Sequence, residues 1–124
     1  MAKSQHAPVM THETILGSVL KRCREVRGID QSLMSKKVGV TQPYWSKIEL
    51  GRANPSVGVL RKACEALGIS EADLLYQVQL VRQAAEARGV KIVSAEDKRS
   101  DDWIPFVAGA AIGALIALVL TKKK

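Results

Sequence analysis

The stretch that decides the fold is QSLMSKKVGVTQPYWSKIELG, residues 31–51. Its first part reads as a helix that Asp30 is suited to cap. Gly39 breaks the helical pattern where a residue free to adopt positive φ is needed, and Thr41 offers the N-cap of a second helix. Pro43 falls in the first turn of that helix, where its missing N–H costs nothing. The stretch therefore predicts two helices joined by a turn of three residues.

An apolar seam is predicted between these two helices, with one face of the second helix left outside it. The seam consists of Met34, Val38, Val40, Trp45 and Ile48. The side chains that face away from it are Gln42, Pro43, Tyr44, Ser46 and Lys47. Two helices in this arrangement form a helix-turn-helix motif, whose second helix enters a groove of double-stranded DNA. We therefore expect double-stranded DNA as a partner and the outward face as its binding surface.

Three further helices are predicted around this motif. The first runs from about His12 to Arg27, where apolar residues recur on one face and Gly28 follows. Ser56 is placed to cap a helix that continues to Leu67. The last begins after Ser70 and is expected to run as far as Arg88. Five helices between residues 12 and 88 make one domain with an extended fifth helix.

The two ends of the chain differ from this domain in composition. Residues 1–11 are expected to form a flexible polar arm, and residues 89–102 a linker that ends in the charged run SAEDKRSDD. Residues 103–121, WIPFVAGAAIGALIALVLT, carry no charge. A helix of this length spans about 28 Å, close to the hydrocarbon thickness of a bilayer. We expect a single transmembrane helix in a lipid bilayer, followed by a basic tail at residues 122–124.

Charge is consistent with a polyanionic partner. The formal net charge is +7, and residues 1–88 contain 13 Lys and Arg against 8 Asp and Glu, which gives +5. Such an excess suits nucleic acid or an anionic membrane surface. The basic excess therefore lies mainly on the predicted helical domain.

The residues that most often bind metals or carry out catalysis are few and widely spaced in this sequence. The two cysteines, Cys23 and Cys64, lie far apart, and the two histidines, His6 and His12, lie near the N-terminus. This spacing does not match a zinc site, and two buried free thiols are expected instead. The sequence offers no nucleophile–base pair, carboxylate pair or ligand cluster. We expect no metal, no cofactor and no enzymatic activity.

A family resemblance rests on motifs spread along half the chain. They are GVTQ at residues 39–42, IELG at 48–51, NPS at 54–56 and ALGI at 66–69, together with Leu16, Leu20, Arg24, Gln31 and Leu60. With these motifs, residues 15–75 resemble the Cro and phage-repressor (xenobiotic response element) class of helix-turn-helix domains. The resemblance implies an all-α, five-helix repressor-like domain, to which this chain adds the single C-terminal transmembrane helix.

The resemblance also implies roles for individual side chains on the second helix of the motif. Gln42, Pro43 and Tyr44 correspond to the end that faces base edges, and a glutamine there can pair bidentately with adenine. Lys47, one turn further on, is within reach of a guanine or a phosphate. Gln31 corresponds to a position that contacts a phosphate and braces residue 42. For Tyr44, a solvent-exposed ring and a DNA contact remain alternatives.

Other matched positions are expected to hold the fold together or to contact the DNA backbone. Arg24 and Glu49 correspond to an internal salt bridge that ties the first helix to the recognition helix. Arg52, Asn54 and Ser56 lie in or beside the loop that follows the phosphate backbone. Three positions depart from the family pattern. Pro43 lacks a polar group for base reading, and Ser35 replaces a small apolar residue where the two helices approach closely. Leu33 lies at a position that is usually polar and exposed, so it is a candidate partner surface.

Two functions fit these features. The first is a membrane-tethered, sequence-specific DNA-binding protein, either a transcriptional regulator or a DNA–membrane anchor. Its domain would face the cytoplasm from the cytoplasmic (inner) membrane. The second is a membrane scaffold whose helix-turn-helix binds a protein partner, such as a cytoskeletal filament, as in bacterial cell-shape proteins. The polar residues retained on the recognition face favour DNA, because a protein-binding version would be free to lose them.

A homodimer is expected because a two-fold DNA site needs two recognition helices. Gly109 and Gly113 form a GxxxG motif on which two membrane helices can approach closely. The heptad-like seam from Leu74 to Ala85 is the other candidate surface, although short seams of this kind also occur in ordinary domain cores.

Overall fold

A computed structural model describes residues 8–94 and, further along, residues 113, 116, 117 and 119. The elements are β1 (Val9–Thr11), α1 (His12–Val26), α2 (Gln31–Val38), α3 (Gln42–Glu49), α4 (Val57–Leu67), α5 (Glu71–Ala87) and β2 (Lys91–Val93). The five predicted helices are therefore present with bounds within one or two residues of those expected, and the domain has the helix-turn-helix, repressor-like fold.

Each helix begins at a hydroxyl or carboxylate side chain that caps its N-terminus. In every case, the side-chain oxygen accepts a hydrogen bond from the backbone N–H three residues ahead, over 2.8–3.2 Å. The caps are Thr11, Asp30, Thr41, Ser56 and Ser70. A cap of this type contributes about 1 kcal/mol to stability. The capping side chains therefore determine where the helices start.

The turn between α2 and α3 depends on Gly39. Its φ is 87°, a left-handed conformation that side chains with a Cβ rarely adopt. The Gly39 and Val40 N–H groups both donate to the Ser35 carbonyl, at 2.8 and 3.0 Å, which closes the end of α2. Because the turn is this tight, α3 starts directly beside α2.

The core lies where α1 packs against α3 and α5, and where α2 packs against α3 and α4. Its largest fully buried side chains include Trp45, Ile15, Leu20, Met34 and Ile48. The predicted seam between α2 and α3 is therefore part of the centre of the domain. Trp45 has no exposed surface, so one face of α3 is anchored while its opposite face is left to solvent.

Helix α5 uses its apolar seam within the domain. Leu74, Val81 and Ala85 are buried, and Val78 packs against the same core. This outcome matches the simpler of the two interpretations of the seam, since these side chains are already covered by α1 and α4. They are not available as a zipper between two copies.

A pair of short strands closes the domain where the sequence predicted an arm and a linker. β1 and β2 run parallel, with Val9 opposite Lys91 and Met10 opposite Ile92. Met10 is 1% exposed. Residues 9–11 and 91–93, which were expected to belong to a flexible arm over residues 1–11 and a linker over residues 89–102, are instead strands. Burial of Met10 and the backbone pairing hold them against α1 and α5.

Most of the predicted transmembrane helix, residues 103–121, lies outside the described residues, as do Gly109 and the basic tail at residues 122–124. Of the described positions in this stretch, Ile116 is 3% exposed and belongs to the core cluster. Within the part of the chain that the structure describes, no helix combines the length and the apolarity needed to cross a membrane.

Two helices approach each other closely at Gly17, where α1 crosses the C-terminal end of α3. A Cβ at Gly17 would overlap the carbonyl oxygen of Ile48 and lie 2.7 Å from that of Glu49. Both obstacles are backbone atoms, which cannot move without shifting α3. Gly58, on α4, is a matched position without this constraint, because a Cβ there would have Ser56 Oγ at 3.8 Å as its nearest neighbour.

We expect Gly17→Ala to destabilise the domain by about 2–3 kcal/mol, because the added methyl group forces α1 and α3 apart. Gly58→Ala, which adds the same group to an exposed helical site, should stabilise it by up to about 1 kcal/mol. Urea unfolding followed by circular dichroism measures both values. Equal effects from the two substitutions would show that the approach at Gly17 is not a packing constraint.

Candidate nucleic-acid interface

The carboxylate of Glu49 is the centre of a buried polar network. Glu49 is 4% exposed and accepts four N–H hydrogen bonds. Arg24 donates from Nε to Oε2 at 2.6 Å and from Nη2 to Oε1 at 3.0 Å. Gln31 Nε2 donates to Oε1 at 2.8 Å, and Trp45 Nε1 donates to Oε2 at 2.6 Å. Each carboxylate oxygen of Glu49 therefore accepts hydrogen bonds from two donors.

Arg24 and Glu49 form the ion pair that the family resemblance implied. Arg24 is 7% exposed, and its remaining Nη1 group donates to the Ile29 carbonyl at 2.7 Å. The hydrogen bond to Glu49 raises the pKa of the Arg24 guanidinium above its ordinary value, against the opposing effect of burial. The ion pair joins α1 to the last turn of α3.

Trp45 also belongs to this network, although the apolar pattern predicts for it only a place in the seam between α2 and α3. A buried indole usually finds an acceptor for its N–H, and Glu49 lies four residues further along the same helix face. That spacing is the sequence signal for the contact. Through it, the carboxylate is fixed within α3 as well as between helices.

The network continues from the buried carboxylate to the surface. Gln42 Nε2 donates to Gln31 Oε1 at 2.7 Å, which links the first residues of α2 and α3. Gln31 is half-buried and Gln42 is exposed. A chain of hydrogen bonds therefore runs from Arg24 through Glu49 and Gln31 to the side chain that the sequence predicts to read bases.

The outward face of α3 has the exposure that a docking surface needs. Gln42, Pro43, Tyr44 and Lys47 are exposed, whereas Ser46 is half-buried. Tyr44 has 36% of its surface accessible, so much of this residue is covered by the protein. The dipole of α3 adds a partial positive charge at the same end.

The three predicted backbone contacts do not form one cluster. Arg52 is exposed and lines a cavity of about 300 Å³ with Ser18, Lys21 and Leu50. Asn54 instead lines a second cavity of about 210 Å³ with Leu16 and residues of α5. The Ser56 hydroxyl caps α4 as an acceptor, which leaves its O–H free to donate to a phosphate. Exposed lysines on α2, Lys36 and Lys37, were not among the predicted contacts.

The cysteines lie away from this face. Both Cys23 and Cys64 are buried free thiols, and burial raises the pKa of each above its ordinary value. The described residues include no group of three or more His, Cys, Asp or Glu side chains placed to hold a metal ion.

Comparison with known proteins places the chain in a family. A helix-turn-helix domain family model matches residues 15–75. An uncharacterized HTH-type transcriptional regulator, y4dJ of Sinorhizobium fredii, is 35% identical over 66 residues, which cover 53% of this chain and 86% of that protein. The chain therefore belongs to the helix-turn-helix domain family, and relatives of it are HTH-type transcriptional regulators.

Two further proteins share the domain. The prophage-derived regulator YonR of Bacillus subtilis is 36% identical over 61 residues, covering 49% of this chain but only 56% of that protein. The crystal structure of the clp gene regulator ClgR from Corynebacterium glutamicum aligns with a TM-score of 0.56 at 30% identity. That alignment covers 62% of this chain and 84% of that chain.

We expect Arg24→Ala to lower the stability of the domain by about 3–5 kcal/mol, because it leaves the Glu49 carboxylate buried without its counter-charge. Arg61→Ala is the matched control, since Arg61 pairs with Glu71 at 3.9 Å on an exposed surface and should lose no more than about 1 kcal/mol. Thermal melting followed by circular dichroism compares the two. Similar melting temperatures for both variants would contradict a structural role for Arg24.

Proposed function

We propose that the protein is a sequence-specific DNA-binding regulator that places the N-terminal end of α3 in the major groove. The observation that carries this proposal is the position of Gln42. Its amide is exposed at the start of α3 while Gln31 ties it to the buried network. A polar side chain presented at a fixed position on a recognition helix is suited to direct base reading.

The proposed contacts divide into base readout and backbone positioning. Gln42 pairs with adenine, and Lys47 reaches a guanine or a phosphate one turn further on. Pro43 has no polar group and contributes shape, while Tyr44 offers a ring edge and a hydroxyl. Ser46 is half-buried and sits at the margin of the contact.

Phosphates on either side are bound by polar groups around α3. Arg52 is an exposed cation just after the helix, and the Ser56 hydroxyl has a donor to spare. Asn54 and Gln31 complete the set proposed from the family resemblance. Such contacts fix the orientation of the protein on the duplex without reading its sequence.

A homodimer is part of the proposal because a two-fold operator needs two copies of α3. The seam of α5 is buried in the domain, which leaves the GxxxG motif of Gly109 and Gly113 as the proposed surface. Its support is the sequence motif, because Gly109 lies outside the described residues and Gly113 lines the cavity of about 300 Å³ beside Arg52.

The proposal also includes attachment to the cytoplasmic membrane through residues 103–121, with the DNA-binding domain in the cytoplasm. Its support is the sequence alone, an uncharged run of 19 residues flanked by charged ones. The burial of Ile116 in the domain core favours the opposite arrangement, in which this segment packs on the protein. Fractionation of the full chain decides between them.

We expect the full chain, purified in mild detergent, to select a defined duplex from a random oligonucleotide pool. Affinity should fall steeply with salt, because Lys and Arg displace condensed counterions. Gln42→Ala should relax the preference at one or two base pairs by about 1–3 kcal/mol, whereas Arg52→Ala should weaken binding to all sequences alike.

Arg61→Ala serves again as the control, because it removes an exposed cation that no proposed contact uses. Titrations followed by fluorescence anisotropy measure each variant. If the full chain binds no duplex above the level of a neutral control protein at low salt, the DNA proposal fails, and a scaffold that binds a protein partner replaces it.

For the membrane, we expect the full chain to remain in the pellet after alkaline carbonate extraction of cell membranes. A chain ending at residue 102 should appear in the supernatant. Leu115→Glu combined with Leu118→Glu is the point-substitution control, since two buried charges cost several kcal/mol in the hydrocarbon core. Release of the unmodified chain by carbonate would contradict the transmembrane helix.

A further inference from the structure

We infer that the buried carboxylate of Glu49 fixes the orientation of the Gln42 side-chain amide. Through this orientation it sets a preference for adenine over guanine at the contacted base pair. This inference rests on the proposed function and adds a specificity-determining role for Glu49, which touches no base and acts through Gln31, the residue that the family resemblance implies as a brace for position 42. The geometry that points to it is the unbroken hydrogen-bond chain from Glu49 through Gln31 to Gln42.

The first step concerns Glu49 and Gln31. A carboxylate only accepts hydrogen bonds, and Arg24 pairs with this one through two N–H donors. Gln31 must therefore present its –NH₂ group to Glu49 Oε1, which it does at 2.8 Å. The reverse orientation would bring a carbonyl oxygen against a carboxylate oxygen. Chemistry alone thus fixes the orientation of the Gln31 amide.

The second step passes this orientation to the surface. With its nitrogen held by Glu49, Gln31 has only its Oε1 to offer Gln42, and Gln42 Nε2 donates to it at 2.7 Å. The two ends of a glutamine amide are nearly identical in shape, so an isolated Gln42 would populate both orientations. The hydrogen-bond relay from Glu49 through Gln31 to Gln42 selects one of these two orientations.

The third step is the pattern that Gln42 then shows to DNA. One N–H is used by Gln31, which leaves one N–H donor and the Oε1 acceptor. Adenine offers the complementary pair, an N6–H donor beside the N7 acceptor, whereas guanine offers two acceptors, O6 and N7. The presented pattern matches adenine and sets Gln42 Oε1 against guanine O6. A flipped Gln42, tied to Gln31 through its oxygen, would instead present two donors and suit guanine.

Glu49→Gln tests the direction of the relay. The amide that replaces the carboxylate keeps one acceptor for Arg24 Nε and Trp45. Its new –NH₂ group faces Gln31 and Arg24 Nη2, and of these two only Gln31 can turn an acceptor towards it. Gln31 then turns its oxygen towards residue 49 and its nitrogen towards Gln42, which reverses both amides. We expect the ratio of adenine to guanine preference at the contacted base pair to fall by about tenfold. Loss of the negative charge of Glu49 raises the affinity for both sequences alike, so this effect cancels in the ratio of adenine to guanine preference.

Gln31→Met tests the same relay without disturbing the ion pair, in case Glu49→Gln does not fold. The methionine keeps the length of the side chain and removes both hydrogen bonds, so Gln42 is free to flip. We expect a smaller loss of adenine preference, by about fivefold, and a lower melting temperature, because Glu49 Oε1 loses one of its two donors. Gln79→Met, on an exposed site of α5, is the matched control and should leave the ratio unchanged.

A double substitution separates positioning from direct contact. In a Gln42→Ala background, Gln31→Met should have no further effect on base preference, because it acts through Gln42. A full effect in that background would overturn the relay, as would an unchanged ratio in a folded Gln31→Met chain that still binds DNA. A guanine preference in the unmodified chain would also overturn it. Failure of the unmodified chain to bind any duplex is a different result, since it removes the proposed function itself.

Discussion

The carboxylate of Glu49 determines how three helices meet. Arg24 reaches it from α1, Gln31 from α2 and Trp45 from within α3, and all four hydrogen bonds end on two oxygen atoms. A charge buried to this degree is tolerated only when it is paired and fully hydrogen-bonded. The donors must therefore arrive together, which fixes the angle of α3 relative to the helices that support it.

Close packing at the same end of α3 adds a steric constraint to this electrostatic one. The absence of a side chain at Gly17 lets the backbone of α1 approach the carbonyls of Ile48 and Glu49. That approach brings Arg24, two turns further along α1, into reach of the carboxylate. Gly39 has a comparable role at the N-terminal end of α3, because its left-handed backbone conformation places the start of α3 beside α2. Position and orientation of α3 thus depend on two glycines and one ion pair.

Local chemistry explains which parts of the fold the sequence predicts. Helix starts follow from caps such as Asp30 and Thr41, and the turn follows from Gly39, because each acts on its own neighbours. The pairing of β1 with β2 was missed, since short strands of three residues have no periodicity that a nearby segment can confirm. In the candidate site, Gln42 and Gln31 were found through the family motifs. The separate surroundings of Asn54 depend on how α1 and α5 pack, which no short motif encodes.

The strand pair that closes the domain has a consequence for the order in which the chain folds. Met10 pairs opposite Ile92, so this contact joins segments from the two ends of the domain. Closing a loop of that length carries a large entropic cost. During synthesis, all five helices are translated before β2. The helices are therefore expected to assemble first, and β1 to wait unpaired until translation supplies its partner.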